Sequence, residues 1–326
     1  YKHWKPMSMV VNGSSPLPLS ETAQRQVAQT CGIPFRYWKK CRDDIASDSA
    51  SRMLADHANH WLSENEGRYM VRTVEPVLES TIERENERYV RALVSDRYQP
   101  FSNLDLLRSI EKMKSSLSEG EAWKLKIDEE RLSFGVNHPL LNGEVSGSAL
   151  KINDVVKGGV NLLNSEVGDS VLRVAFSIFR LVCLNGMLAP TDLFGYRRRH
   201  MGSRRNTVGI AQQETPQSVI ENVNAILCDL EETKPFEAMM QRIEKATQAA
   251  VKEDWTHRLR RRFQSVTKGE RESIEANFDR EGDTSLWGAV NAITYAAHTA
   301  GTHRGDQLQS IGGEVLSSPK GLLEVA

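Results

Sequence analysis

Ten residues in the middle of the chain, Tyr196-Arg-Arg-Arg-His-Met-Gly-Ser-Arg-Arg205, hold five arginines and no acid. A guanidinium stays charged, forks onto phosphate through paired N–H donors and stacks on flat rings. Arg197, Arg198, Arg199, Arg204 and Arg205, with Tyr196 as a stacking ring, therefore form a candidate clamp for a phosphate backbone. Arg258, Arg260, Arg261 and Arg262 make a second cluster between Trp255 and Phe263. A third, Arg36-Tyr-Trp-Lys-Lys40, offers Lys39 and Lys40 beside aromatic rings. Base stacking on such rings contributes about 1–3 kcal/mol per base and tolerates any sequence. Each cluster has a plainer reading too. The first reads as a solvated loop, the second as cations at a helix C-terminus, and Phe35 with Trp38 as a core stripe.

The chain carries a formal net charge of only -1, so these clusters are local features of a balanced polypeptide. No phosphate-loop, nucleophile-elbow or zinc-deaminase pattern occurs. His57 and His60, near Asp56 and Glu64, have helical spacing but lack a metalloprotease pattern; His298 and His303 are the remote partners a metal would need. Asn164, Ser165, Glu166 and Asp192 read as turn formers, Asn185-Gly186 as a tight turn, and Asn291 and Thr294 as links between packed elements. The sequence thus assigns no catalytic residue, metal or cofactor and leans away from an enzyme. Cysteines at 31, 41, 183 and 228 form no Cys-x-x-Cys pair, which fits reduced thiols in a cytoplasm. No apolar run approaches the roughly 20 residues that cross a bilayer, so no membrane is expected. The opening Tyr1-Lys-His-Trp-Lys-Pro has neither a signal-peptide pattern nor an initiator methionine, which suggests further residues upstream.

The elements that would carry these groups are legible from periodicity. Residues 1–19 read as an extended arm. Ser20 caps a helix through Val27, Pro34 opens another, and a third covers 51–62. Strands follow at 68–74 and 89–94, then a helix over 103–115. Residues 121–137 alternate around Asp-Glu-Glu as a hairpin, with Trp123, Leu125 and Ile127 on one face. Residues 143–147 read as loop, 151–163 as strand and 171–183 as a central strand. Helices are expected at 218–230, from 236 to about 266, and at 285–299. The pattern predicts an α+β fold, with a central, mostly antiparallel sheet flanked by helices and a helical C-terminal region. The expected organisation is an arm to 19, an α+β core over 20–212, a helical region over 213–305 and a flexible tail over 306–326.

Several blocks resemble a known family: Ala92-Leu-Val-Ser-Asp-Arg-Tyr98 with Phe101-Ser-Asn-Leu-Asp-Leu-Leu, Leu163-Asn-Ser-Glu-Val-Gly168, Phe179-Arg-Leu-Val-Cys-Leu-Asn-Gly-Met187, and Leu286-Trp-Gly-Ala-Val-Asn-Ala-Ile-Thr294. They are similar to the phage- and plasmid-associated family called domain of unknown function 932, over roughly residues 20–300. The resemblance implies a mobile element in a bacterial cytoplasm and supplies no catalytic set.

The functional expectation is a non-enzymatic, self-assembling binder of nucleic acid. Single-stranded DNA is the favoured ligand, in recombination or replication beside phage or host proteins. Assembly would extend a modest basic strip into a continuous groove. An adaptor docking partners on 218–266, in anti-defence or replication complexes, is the alternative. A metal-dependent nuclease or hydrolase is the second alternative.

Overall fold

The computed structural model describes residues 7–11, 13, 15–44, 48–74, 88–99, 101–112, 121–128, 130–146, 154–181, 185–189, 195–198, 216–230 and 232–323. The fold is α+β, and the chain divides into two compact units. Tyr1–Pro100, Ser165–Ser170 and His200–Gln213 make the first; Phe101–Asn164, Val171–Arg199 and Glu214–Ala326 make the second.

In the first unit, β1 (Ser8–Met9) pairs antiparallel with β2 (Leu17–Pro18), so part of the expected arm is docked. Ser20 caps α1 (Glu21–Thr30) by accepting from the Ala23 amide at 3.0 Å. Pro34 precedes α2 (Phe35–Arg42), and α3 spans Asp48–Ser63. Strands β3 (Tyr69–Val74) and β4 (Tyr89–Ser95) pair antiparallel as the sequence predicts. Trp38 is buried and donates to Gln24 Oε1 at 3.1 Å, an indole satisfied inside a core. Tyr98 donates to the Ser165 carbonyl at 2.6 Å and accepts from the Gly168 amide at 3.1 Å. Gly168 has φ +80, a left-handed conformation that a side chain would strain.

In the second unit, α4 (Asn103–Lys112) precedes a six-stranded antiparallel sheet of β5 (Glu121–Ile127), β6 (Leu132–Glu144), β7 (Val155–Asn164), β8 (Leu172–Arg180), β9 (Asn185–Leu188) and β10 (Gly195–Arg198). The order is β10-β8-β7-β6-β5, with β9 also on β8. Strand β8 is central, as expected. Asn185 and Gly186 lie in β9 paired with β8, so they extend the sheet rather than form the expected turn.

Helices α5 (Pro216–Leu230), α6 (Thr233–Thr247), α7 (Trp255–Arg262), α8 (Lys268–Glu281), α9 (Leu286–Thr299) and α10 (Thr302–Ser317) complete the unit. The single helix expected from 236 to about 266 is two. Between them, Ala250 bridges Ser285 and Val251 bridges Leu323, so the backbone there bonds elsewhere. The expected tail is corrected as well: α10 occupies 302–317, with Leu308, Ile311, Val315 and Leu316 buried. Its glycines, which made the sequence read as mobile, serve packing. A Cβ on Gly313 would lie 1.9 Å from the Leu188 carbonyl oxygen.

Side chains on alternate residues of a strand face opposite sides. One face of the sheet carries Leu132, Val136, Val160, Leu162, Val174, Phe176 and Ile178, all in the apolar core with Val223, Phe236 and Met239. A second buried set holds α8 and α9 to the sheet. Arg180 pairs with Asp154 at 2.6 Å and Glu281 at 3.4 Å, and Trp287 donates to the other Asp154 oxygen at 3.0 Å.

Candidate functional site

The cations singled out in the sequence separate by position in the fold. Strand β10 places Arg197 outward and Arg198 half-buried, because neighbouring residues of a strand point to opposite faces. The Arg198 guanidinium lies over the Phe101 ring, 5.4 Å from its centroid. Arg199, Arg204, Arg205 and the side chain of Tyr196 lie outside the described residues.

Helix α7 sorts the second cluster by its turn. Trp255, Thr256 and Leu259 face inward, leaving His257, Arg260 and Arg261 exposed on the other side. Arg258 is half-buried and bonds Asp254 at 2.6 Å, which holds that carboxyl below its ordinary value. Arg262 donates to the Ser318 carbonyl, with its guanidinium 4.9 Å from the Phe263 centroid. So Arg258 and Arg262 are engaged within the chain. Arg197, Arg260 and Arg261 are exposed and form no ion pair among the described residues.

In the first unit, Lys39 pairs with Glu21 at 2.5 Å and lies over Phe35. Trp38 is core, whereas Arg36, Tyr37 and Lys40 are exposed. The core reading of Trp38 is the correct one. His57 and His60 are exposed on α3. No group of three or more His, Cys, Asp or Glu side chains is placed to hold a metal among the described residues. Of the polar residues read as turns or links, Glu166 pairs with Arg91 at 2.8 Å, and Ser165 accepts from the Val167 and Asp169 amides. Asn164 bonds the Phe101 carbonyl and Asn103, and Thr294 bonds backbone carbonyls of its own helix. Asp192 lies outside the described residues.

In the stretch 218–266, which the adaptor reading assigns to docking, several of the apolar residues whose side chains are described face inward. Val223, Phe236, Met239, Ile243, Ala246 and Leu259 are turned into the core of their own unit. Amphipathic periodicity marks which side of a helix is buried and not whose core receives it.

The sheet's second face is polar and was not singled out from the sequence. Antiparallel pairing puts residues opposite one another on the same side. One row across five strands reads Lys126, Ser133, Leu163, Arg173 and Arg197. The next reads Lys124, Gly135, Asn161, Ala175 and Gly195, and a third includes Asn137, Gly159, Ser177 and Leu188. Helix α10 meets this face. Asp306 Oδ1 accepts from Lys124 Nζ and, at 3.3 Å, from Ser133 Oγ, while Arg173 donates to Ser310 Oγ at 2.8 Å.

Burial pushes the Lys124 ammonium below its ordinary value despite Asp306. It does the same to Arg173, and the charges of Arg197 and Arg131 add to the shift while Asp306 opposes it. Cations therefore outnumber carboxylates around Arg173, and a guanidinium directly opposite another is unfavourable.

A family model described as "Domain of unknown function (DUF932)" matches residues 91–312. No curated protein and no solved structure gives a significant match.

Proposed function

The chain belongs to the family described as domain of unknown function (DUF932), and we propose that this member binds single-stranded nucleic acid through its backbone phosphates without catalysing a reaction. The observation that carries this reading is that Arg197, Arg260 and Arg261 face outward with no ion-pair partner among the described residues, in a chain whose net charge is -1. Arg197 also begins the arginine-rich segment Arg197–Arg205, so the charge it presents is the start of a longer run. Arginines held outward keep five N–H donors each for phosphate oxygens, and they release counterions when they bind. Exposed Arg36, Tyr37 and Lys40 offer the first unit a stacking ring between two cations.

Self-assembly belongs to the same reading. Strand β5 ends the sheet's strand order, and Leu125 and Ile127 on it are 59% and 58% exposed. An apolar edge strand is a template for pairing with another copy. No helix of the described chain is long and apolar enough to cross a membrane. The free thiols Cys31, Cys41 and Cys228 suit a reducing bacterial cytoplasm, and a phage or plasmid setting in recombination or replication fits the same binding chemistry.

Fluorescence polarisation with a labelled strand of about 30 nucleotides, across a salt series, tests the proposal. Binding should weaken steeply with salt. Each single-strand phosphate contact contributes about -0.7 to the log–log slope, so Arg197→Ala/Arg260→Ala/Arg261→Ala should flatten it by about 2. Salt-insensitive binding, or an unchanged slope in the triple variant, would refute the assignment.

A further inference from the structure

Beneath α10, the polar face of the sheet holds side chains that its own packing leaves unsatisfied. Nearly all buried polar atoms in folded proteins are hydrogen-bonded, and each exception calls for an explanation. Here the exceptions cluster. Both amide atoms of Asn137, both amide atoms of Asn161 and the hydroxyl of Ser177 are buried with no hydrogen-bond partner among the described residues. So are Nε and Nη2 of Arg173 and Oδ2 of Asp306. These residues are neighbours by register. Asn137 and Ser177 both stand opposite Gly159, Asn161 lies two residues along β7 from that glycine, and Arg173 is opposite Leu163, two residues further.

Two features distinguish this layer from a loosely packed interior. First, the positions between the polar groups have little or no side chain: Gly135, Gly159 and Ala175. A Cβ on Gly159 would stand 2.1 Å from the Val136 carbonyl oxygen, so that position admits nothing larger. The amides therefore stand beside residues that offer them no side-chain hydrogen-bond partner. Secondly, the unpartnered atoms of Arg173 are Nε and one terminal nitrogen, the two parallel donors that grip an oxyanion bidentately. Its remaining terminal nitrogen is held by Ser310, which fixes the plane of the fork. The carboxylate at hand, Asp306, is occupied by Lys124 and Ser133 through Oδ1.

We propose that the polar layer between β6, β7, β8 and α10 is a binding site for a small oxyanion-bearing molecule. The anionic group sits on the Arg173 fork, and Asn161, Asn137 and Ser177 hydrogen-bond the polar remainder. Asp306 Oδ2 accepts from a hydroxyl or amine of the ligand. A phosphate and a carboxylate share the chemistry that the fork reads, so the ligand is defined as a compact oxyanion with hydrogen-bonding substituents. The unpartnered atoms of this site are buried, unlike the exposed Arg260 and Arg261 assigned to nucleic acid; Arg197 stands opposite Arg173 at its margin.

Isothermal titration of the full chain with inorganic phosphate, and separately with malonate, at ionic strength matched by chloride, tests the proposal. The expected result is saturable 1:1 binding of at least one probe; which of the two binds identifies the oxyanion as phosphate or carboxylate. Arg173→Lys keeps the charge and removes the fork, and should weaken binding at least about tenfold, the loss of one strong bidentate contact. Asn161→Ala and Ser177→Ala serve where Arg173→Lys does not fold, and each should weaken binding several-fold. Arg260→Ala/Arg261→Ala, on a helix away from Arg173, should blunt strand binding and keep oxyanion binding intact, so the two proposals fail separately. Three results would overturn the site: no saturable heat with either probe up to about 10 mM, well above the range of a specific site; equal affinity in the folded variants; or a crystal grown with either probe showing only water against Arg173.

Discussion

Asp154→Ala should be among the most damaging single changes in the second unit. Asp154 and Arg180 have side chains 0% and 3% exposed and meet at 2.6 Å, with the second carboxylate oxygen accepting from Trp287 at 3.0 Å. Glu281, at 3.4 Å and less deeply buried, touches a different nitrogen of Arg180 and cannot replace the lost acceptor. Removing Asp154 leaves the buried guanidinium without its closest carboxylate and with only the longer Glu281 contact, a change that costs about 3 kcal/mol, the low end of breaking a buried pair. The orphaned indole N–H adds about 1–3 kcal/mol, though the two penalties overlap because the site relaxes once. Domains are stable by about 5–15 kcal/mol, so the variant should lose about a fifth or more of its margin. Urea unfolding followed by circular dichroism would show a lower midpoint at unchanged slope. Asp154→Ala/Arg180→Met should recover at least about 1 kcal/mol relative to the sum of the single changes, because the buried guanidinium is then gone along with its carboxylate. A loss under about 1 kcal/mol for Asp154→Ala, or strict additivity in the double variant, would refute the claim that this pair fastens the sheet to α9.

Two further predictions concern titrating groups. Burial pushes the Tyr98 hydroxyl up to about 12 from the ordinary 10. The unfolded chain therefore ionises first, and the first unit should lose stability as pH rises between those values. Tyr98→Phe should remove that slope and cost about 1–3 kcal/mol at neutral pH, since the Ser165 carbonyl and Gly168 amide lose their partner. In the second unit, the Arg304 fork and the Thr267 backbone and hydroxyl hold Glu270 at about 2, below the ordinary 4.5. Its contribution is complete above the ordinary value and disappears as pH falls toward the folded one. Because solvent reaches the pair, Glu270→Gln should cost only about 1 kcal/mol at neutral pH and flatten the acid limb of the stability profile. A variant with the parental acid limb would contradict this assignment.

The elements readable from sequence are those with local causes. Ser20 and Ser285 announce their helices because a side-chain oxygen satisfies a backbone amide three residues on. The 121–137 hairpin is readable because alternation and an acidic turn coincide, and Asp128 does accept from the Glu130 and Arg131 amides. Alternation was less informative about exposure. Leu125 and Ile127 share a face as expected, yet that face is open because β5 is the last strand. Position in the sheet decides this, and strand order is not a local property of sequence. The two arginine clusters divide for a similar reason. Their density is visible in the sequence, but which members reach solvent depends on the strand and helix that carry them. Arg198 meets Phe101 and Arg262 meets Phe263, while Arg197, Arg260 and Arg261 stay outside.

The polar layer shows how far non-local structure can reverse a local signal. Ser133-x-Gly135-x-Asn137, Gly159-x-Asn161 and Arg173-x-Ala175-x-Ser177 alternate polar or small residues with apolar ones, the pattern of a sheet with one face in water. Taken alone it assigns these side chains to solvent and asks nothing more of them. The reversal comes from α10, whose Asp306 meets Ser133 across 173 residues of sequence. That helix is hard to recognise because Gly305, Gly312 and Gly313 weaken its propensity, and Gly313 is the residue that permits contact with the Leu188 backbone. The same glycines thus hide the helix in the sequence and let it approach the sheet in the fold. A helix drawn that close over a solvent-type face converts ordinary surface residues into buried ones. Ser133 and Lys124 find partners on α10, whereas Ser177, the two asparagines and the arginine fork find none among the described residues. Stability alone favours filling such an interior with apolar residues, because unmet buried donors cost more than a hydrophobic replacement. Polar side chains that persist beneath a closely packed helix, with their hydrogen-bonding capacity unspent, are better accounted for by a ligand than by folding.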